Sequence, residues 1–475
     1  MDKGATFVFL LLAALGFAGA GVVYSRRAVG SLEDYITSRS SVGTVATAMT
    51  LVASGMGAWI LFSPAEAATW GGLPAILGYA LGAAAPLLAF IPLGRRIRQV
   101  MPEGHSLTEY VFHRYGRGMY LFTLAVILFY MFIFLAAEIT GMALIASLIG
   151  GIPLWVTALV VIGATLAYTT YGGLRASIFT DVVQAVVILP LLAAVVVAGY
   201  LALGGRPVAG RLAERAPELL QWGYLPGIEG GLALIIAILA ANLFHQGYWQ
   251  RVYAVRDSRS LRNGFLISAA AVVPIVFVMG LFGLAAVGLG KAQTPSVALF
   301  GVLLDVLPQW LEVGLVILGL ALVMSSADTL INGIASIVAV DLRRALPGAR
   351  AGLLLRASRA STLVLSAPLL LIAAQGYSVL YLFLIADLVC AAAAFPVFCG
   401  LYSERCTGRA AMLGTLAGLV AGGLLFPDPA MTRGSLLWSF VVAAAASVAV
   451  SLALMPRRRT FDIGSLRRNV RYIED

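Results

Sequence analysis

The sequence predicts an all-α polytopic membrane protein, and three observations carry that prediction. Hydrophobic residues make up 61% of the 475 residues, and charged residues make up only 11%, against about 25% in a soluble domain. The mean hydropathy is +0.95. Apolar runs of bilayer-spanning length, about 20 residues each, recur along the whole chain. These features exclude a cytosolic enzyme, a secreted disulfide-rich scaffold and a disordered chain.

The apolar runs divide the chain into about thirteen candidate membrane spans. Their limits are residues 5–24, 42–63, 70–93, 119–149, 153–171, 176–203, 230–249, 263–290, 311–340, 356–374, 378–401, 409–426 and 434–455. The first run resembles a signal peptide, but Arg26 and Arg27 follow it, whereas a signal peptide carries its positive charges in front. We therefore expect a retained helix.

The positive charges predict the orientation of the chain. When the loop after the first span is placed inside, 26 of the 32 Lys and Arg residues fall on inside segments and 6 fall outside. Cytoplasmic loops of membrane proteins carry this excess. The count predicts an outside N-terminus and a cytoplasmic C-terminus, and it explains the net charge of +10 without a nucleic-acid partner.

The cysteines and histidines do not indicate enzymatic chemistry. There are three of each, and the sequence contains no CxxC motif, no His-rich tract and no even-numbered disulfide framework. His245 is the only histidine near a predicted span, and it has no evident nucleophile or metal-ligand partner. We expect no enzyme activity.

Two spans carry breaks in their helical pattern. The second contains Ala-Ser-Gly-Met-Gly-Ala-Trp at residues 53–59, and the seventh ends in a polar stretch at residues 242–251. Small residues at these positions also suit close helix packing. Interrupted helices at corresponding positions of two halves are, however, typical of inverted-repeat transporters with a binding site at mid-membrane.

Several acids fall within predicted spans, and the informative ones are Glu138, Asp181, Asp328 and Asp387. Ionisable groups there are costly and commonly mark ion or substrate paths; a buried ion pair or an interfacial position is the alternative. No Lys or Arg lies in the predicted hydrocarbon to pair with Glu138 or Asp328, so a cation from solution is the expected partner.

Polar side chains at helical spacing accompany two of these acids. They form one stripe in the ninth span and a shorter one in the sixth: Ser325, Asp328, Thr329, Asn332 and Ser336, and Ser177, Asp181 and Gln184. Interhelical hydrogen bonding is the plain explanation. With carboxylates included, the oxygen atoms suit a hard cation and not zinc or copper.

Three stretches resemble the sodium/solute symporter family, which includes the sodium/proline and sodium/glucose cotransporters. They are residues 53–59, residues 168–176 (YTTYGGLRA) running into 180–184 (TDVVQ), and residues 324–332 (MSSADTLIN). The resemblance implies a single transporter domain over residues 1–475 with a LeuT-type fold of two inverted five-helix repeats. These repeats would span residues 42–203 and 230–401. An extra helix at 5–24 would precede them, and two helices at 409–455 and a cytoplasmic tail at 456–475 would follow.

The resemblance also implies a sodium site. Backbone carbonyls of Ala53, Met56 and Leu322 and hydroxyls of Ser325 and Ser326 would hold the ion. Asp181 matches a family aspartate on the sodium exit route or at a second sodium. Asp328 stands where several members have a small hydroxyl residue, so it is expected to move or duplicate the cation site, or to make coupling proton-sensitive.

The substrate is expected beside that site, between the interrupted helices. The candidate contacts, chosen by position, are Ser54, Gly55, Glu138, His245, Gln246 and Trp249. Gly55 departs from the proline-transporting members, which have an aspartate there. Amino acids, carboxylates, urea-like solutes and sugars all stay open.

The sequence thus predicts a sodium-coupled secondary active symporter that imports a small organic solute by alternating access. The expected setting is the lipid bilayer of a bacterial inner membrane, and the oligomeric state is left open. One alternative is a proton-coupled symporter, which Glu138 and Asp328 keep open. Another is a transporter-like solute sensor that signals to a partner, although only a basic tail follows the last span.

Overall fold

The chain folds as a bundle of helices. The computed structural model describes residues 2–28, 36–204, 208–346, 350–428 and 434–470. Within these ranges the secondary structure is α-helical apart from three short 3-10 segments and one isolated bridge between Val42 and Val255.

Seventeen α-helices are described in these ranges. They are α1 Lys3–Ala28, α2 Thr44–Gly55, α3 Ser63–Val100, α4 Leu107–Tyr115, α5 Arg117–Gly150, α6 Leu154–Leu203, α7 Val208–Arg215, α8 Leu225–Asn242, α9 Gln246–Ala254, α10 Ser258–Leu289, α11 Ala298–Val306, α12 Gln309–Ala345, α13 Ala351–Ala373, α14 Val379–Cys399, α15 Gly408–Gly423, α16 Leu436–Ala453 and α17 Ser465–Asn469.

The predicted all-helical membrane architecture is confirmed. Ten helices of the described chain are long and apolar enough to cross a membrane, and three shorter apolar helices accompany them. The count of thirteen spans stays a prediction. The predicted spans 153–171 and 176–203 correspond to the two helical segments of α6, which meet at a kink where Gly173 has a non-helical φ of 54° and ψ of −156°. Glycine reaches that conformation without the Cβ clash of other residues.

Both predicted helix breaks are present. Helix α2 ends at Gly55, and the chain continues in extended conformation at Met56 and Gly57 before a 3-10 turn at Ala58–Leu61. Helix α8 ends at Asn242, and α9 begins after His245, whose side chain caps the new helix by accepting a hydrogen bond from the backbone N–H of Gly247.

Helix α12 is the central element of the bundle. Of its most apolar 18-residue stretch, 94% of the residues are buried. It packs against α1, α2, α5, α6, α9 and α13. The polar stripe predicted for this helix therefore lies inside the protein, where its carboxylate and hydroxyls need partners from the surrounding helices.

One element differs from the expectation drawn from the cysteines. Cys399 and Cys406 form a disulfide across the turn that joins α14 to α15, and Cys390 is a buried free thiol.

Candidate functional site

The break in α2 faces a buried carboxylate on α5. Oε2 of Glu138 accepts hydrogen bonds from the backbone N–H of Ala58 at 2.6 Å and from the hydroxyl of Ser326 at 2.7 Å. Oε1 of the same side chain is buried without a hydrogen-bond partner in the described structure. Glu138 thus joins the broken segment to α12 and leaves one carboxylate oxygen available to a further donor or cation.

Glycine at position 57 makes this contact possible. A Cβ atom on Gly57 would lie 2.1 Å from Oε1 of Glu138, well inside van der Waals contact. The break therefore needs a residue without a side chain, and the Gly-Met-Gly sequence supplies one where the carboxylate approaches.

A second carboxylate joins four helices. Oδ1 of Asp181, on α6, accepts from the hydroxyl of Ser325 on α12 at 2.5 Å. Oδ2 accepts from the hydroxyl of Thr50 on α2 and, at 2.6 Å, from the guanidinium of Arg251 on α9. Asp181 is completely buried. It therefore lies in a buried ion pair and not at the membrane interface, which was one of the positions that the sequence allowed.

Arg251 gives Asp181 the buried ion pair that the sequence left open as an alternative. The positive-inside count assigns this residue to a cytoplasmic segment, but its side chain is only 1% exposed. Besides Asp181, the guanidinium donates to the hydroxyl of Thr50 at 2.9 Å, the carbonyl of Gly247 at 3.1 Å and the hydroxyl of Thr329 at 2.8 Å. Asp181 therefore has a cation that belongs to the chain.

The third carboxylate, Asp328 on α12, is held by neutral donors. It accepts from the hydroxyls of Tyr168 and Ser177, both at 2.8 Å, and of Thr180 at 3.1 Å. All three donors lie on α6, in the two halves of the motif at residues 168–184. Thr329 links Asp328 to Asp181 through Arg251. Its hydroxyl donates to Asp328 at 3.3 Å and accepts from the guanidinium of Arg251, which also pairs with Asp181.

The predicted sodium ligands lie around this network. The hydroxyls of Ser325 and Ser326 donate to Asp181 and Glu138, which in turn contact α2 and the break that follows it. The hydroxyl of Ser326 is also 3.1 Å from the carbonyl of Leu322. Ala53 lies in the last turn of α2, and no backbone N–H of the described chain donates to its carbonyl. Carbonyl and hydroxyl oxygens with one unpartnered carboxylate oxygen are the donor set that a hard cation takes. Their role as ligands stays a prediction.

A cavity opens beside the break, with about 60 Å³ accessible to the centre of a water molecule. Gly55 and Met56 form part of its wall, and aromatic side chains of α3, α5, α9 and α14 form much of the rest. The polar side chains that line it are few: Trp59, Tyr79, Tyr130, Asn242, Tyr248, Ser268 and Asp387.

Of the six predicted substrate contacts, the structure places only Gly55 in the wall of this cavity. The hydroxyl of Ser54 donates to the carbonyl of Thr50, and Gln246 bonds the backbone of His105 and Leu107. Trp249 donates to the carbonyl of Leu243.

His245 and Glu138 are engaged as a helix cap and as the bridge described above. A substrate role for these residues stays a prediction.

Aromatic residues and one acid of the cavity were not predicted as substrate contacts. Tyr79, Tyr130 and Phe383 come from three helices far apart in sequence, so no local pattern groups them. The sequence identifies Asp387 as an acid within a predicted span but does not place it at the substrate. The signal available in the sequence was a single acid within the apolar segment that forms α14.

Known proteins resemble the chain over most of its length. The sequence model of the sodium:solute symporter family matches residues 35–418. A spermidine transporter of Candida albicans is 28% identical over 448 residues, 89% of this chain and 84% of that protein. A urea-proton symporter of Oryza sativa is 23% identical over 444 residues, 84% of this chain and 61% of that protein.

The fold also matches that of a solved symporter. The outward-open, substrate-bound structure of a Na⁺-coupled sialic acid symporter superposes with a TM-score of 0.74 at 18% identity, covering 96% of this chain and 99% of that one. This likeness confirms the LeuT-type fold predicted from the sequence. The family match establishes that the protein is an integral membrane transporter and not an enzyme: the chain belongs to the sodium:solute symporter family.

Proposed function

We propose that the protein is a sodium-coupled secondary active symporter that imports a small organic solute. One observation carries the proposal: the broken segment of α2 contributes to two places at once. Gly55 and Met56 line the cavity, while Ala58 of the same break is joined through Glu138 to Ser326 of α12. An ion that binds between α2 and α12 therefore acts on the wall of the solute cavity.

Sodium between the two helices would couple to solute binding through that shared segment. The carbonyls of Ala53 and Met56 and the hydroxyls of Ser325 and Ser326 would surround the ion, which holds the end of α2 against α12. The cavity wall is then fixed in the conformation that the solute recognises. Release follows when one group of helices rocks against the other and opens the site to the opposite side.

Sodium binding is testable before the solute is known. A ligand that binds the folded state raises its thermal stability as its concentration rises above its dissociation constant. We expect NaCl, but not KCl at equal ionic strength, to raise the unfolding midpoint of the purified protein. Replacing Ser325 and Ser326 by Ala should abolish most of that rise.

Ser336→Ala is the matched control, because its hydroxyl lies on the same helix and, among the residues that the structure describes, bonds only the carbonyl of Gly333. The control should keep the sodium response. An unchanged response in the double variant would remove the two serines from the site, and equal responses to sodium and potassium in the parent protein would end the coupling proposal.

Proton coupling is the second candidate, and the unpartnered Oε1 of Glu138 favours it. The urea-proton symporter of Oryza sativa, whose name states proton coupling, is 23% identical to this chain. The test is solute uptake into proteoliposomes. If a pH gradient drives uptake without sodium, and Glu138→Gln abolishes that uptake, then the coupling ion is the proton and not sodium. Uptake that requires sodium and ignores the pH gradient supports the first proposal.

The charge distribution supports an orientation of the chain in the membrane. We propose a bacterial inner membrane with the N-terminus outside and the C-terminus in the cytoplasm, because this orientation places most arginines on the cytoplasmic side. Cysteine labelling at exposed positions of α1 and α17 in intact cells tests it. The solutes named for its relatives, spermidine and urea, suggest a small, polar, organic cargo.

A further inference from the structure

The cavity beside the α2 break contains a carboxylate with no partner in the protein. Asp387 lines the cavity from α14 and is 4% exposed. No hydrogen bond or ion pair of the described chain involves its side chain. This sets it apart from Asp181 and Asp328, which have charged or hydroxyl donors on both oxygens. Burying a carboxylate without a partner is costly, so retaining one in a cavity wall indicates that the occupant supplies the partner.

The rest of the wall decides what kind of partner fits. Six aromatic side chains surround the space: Trp59, Tyr79, Tyr130, Phe134, Tyr248 and Phe383. Trp59 and Tyr79 stack with ring centres 5.6 Å apart, and Phe134 meets Phe383 edge-on at 4.7 Å. Aromatic faces carry negative potential and attract organic cations, which is how aromatic cages bind substituted ammonium groups.

The same wall disfavours other occupants. Hard cations are held by several oxygen ligands, commonly with more than one carboxylate, and Asp387 is the one carboxylate among the residues that line this cavity. No Lys, Arg or His is among the residues that line the cavity, so a solute with its own carboxylate or phosphate finds no opposite charge and meets the charge of Asp387. Apolar residues such as Leu51, Leu87 and Leu234 complete the wall and suit a hydrocarbon body.

We propose that the transported solute is an organic ammonium ion, an alkylamine or polyamine, bound with its cationic nitrogen at Asp387 and its hydrocarbon part against the aromatic wall. The assignment rests on the proposed transport function, since it names the solute class of the same cavity. It makes Asp387 a specificity-determining residue and places it apart from the network of Asp181 and Arg251.

Binding of simple probes tests the solute class. Thermal shift of the purified full chain in NaCl would be measured with n-butylamine and 1,4-diaminobutane as ammonium probes, and with 1-butanol and butyrate as neutral and anionic probes of similar size. We expect saturable stabilisation by the amines and none by the other two. Stabilisation by butyrate or 1-butanol equal to that by the amines would overturn the proposal.

Variants of Asp387 locate the contact. Because a hydrogen bond to a charged group is worth about ten- to a hundredfold in affinity, Asp387→Asn should weaken amine binding by that factor, and Asp387→Glu should retain much of it. Asp305→Asn is the control, since that acid is half-exposed beside Lys291 and should bind amines like the parent. Amine affinity unchanged in Asp387→Asn would overturn the assignment.

The sodium response separates this proposal from the transport proposal. Each variant is also measured for its stabilisation by NaCl, which shows that a variant that loses amine binding is still folded. Amine binding with no difference between sodium and potassium supports the solute class while refuting sodium coupling. A sodium-specific response with no amine binding refutes the solute class and leaves sodium coupling intact.

Discussion

The buried pair of Asp181 and Arg251 makes a quantitative prediction. At an N···O distance of 2.6 Å and an effective dielectric constant of about 20, two unit charges attract by about 6 kcal/mol. Desolvation of both groups offsets much of that energy. Removing one partner, however, leaves the other charge buried and unpaired, which costs about 3–5 kcal/mol.

The perturbation is a double-mutant cycle with Asp181→Asn, Arg251→Gln and the two together. Each single change should lower the free energy of unfolding by about 3–5 kcal/mol. The double variant should lose clearly less than the sum, because it buries no unpaired charge. The assay is reversible unfolding by sodium dodecyl sulfate in mixed micelles, followed by tryptophan fluorescence.

A surface arginine five residues further along supplies the control. Arg256 pairs with Asp257 at 3.3 Å, but its side chain is 68% exposed, so Arg256→Gln should change stability by less than about 1 kcal/mol. Additive losses in the Asp181 and Arg251 cycle would refute the coupling, and losses no larger than that of Arg256→Gln would refute the burial of the pair.

Three further predictions concern single residues. Gly57→Ala forces its Cβ against the carboxylate of Glu138 and should abolish the sodium-induced thermal shift, whereas Gly19→Ala, with nothing within 4 Å, should keep it. Tyr168→Phe removes a 2.8 Å hydrogen bond to the buried acid of α12 and should cost about 1–3 kcal/mol in the same unfolding assay. The pKa of Asp257 is lowered, chiefly by the backbone N–H of Ser260 at the start of α10; stability measured against pH should fall as this carboxylate becomes protonated below about pH 4, and Asp257→Ala should lose that part of the dependence.

The helices and the breaks could be predicted from the sequence because their causes are local. A membrane span is a run of apolar residues, and the run itself is the signal. The break in α2 follows from Gly55 and Gly57, and the break before α9 follows from the polar stretch that begins at Asn242. The boundary between the predicted spans 153–171 and 176–203 coincides with the kink at Gly173, where the backbone of α6 is not helical.

The site was only partly predictable because its contacts join distant segments. The stripe on α12 named Ser325 and Asp328 from helical spacing alone, and the structure buries both as that spacing implies. Arg251 escaped prediction because charge counting assigns arginines to loops. After the break at His245, α9 instead remains inside the bundle and carries its guanidinium to Asp181, which is 70 residues away in sequence.

The solute cavity was the least predictable feature. Its aromatic wall is assembled from α3, α5, α9 and α14, and no single helix shows a pattern of aromatic residues that marks a binding site. Ser54, Gln246 and Trp249 were candidates because each lies close in sequence to one of the helix breaks. In the structure their polar side-chain atoms form hydrogen bonds with backbone groups instead. Only the packed bundle shows that Tyr130 and Asp387 face the same space.

The guanidinium of Arg251 also bears on how much charge a transport cycle moves. A cation that is part of the chain stays within the protein while free ions pass, so its charge is returned at the end of every cycle. Each mobile positive charge that crosses contributes about 2.3 kcal/mol per 100 mV of membrane potential. By holding Asp181 with a tethered charge, the protein gives up the driving force that a mobile ion at that carboxylate would supply, and it keeps the carboxylate neutralised in the absence of sodium.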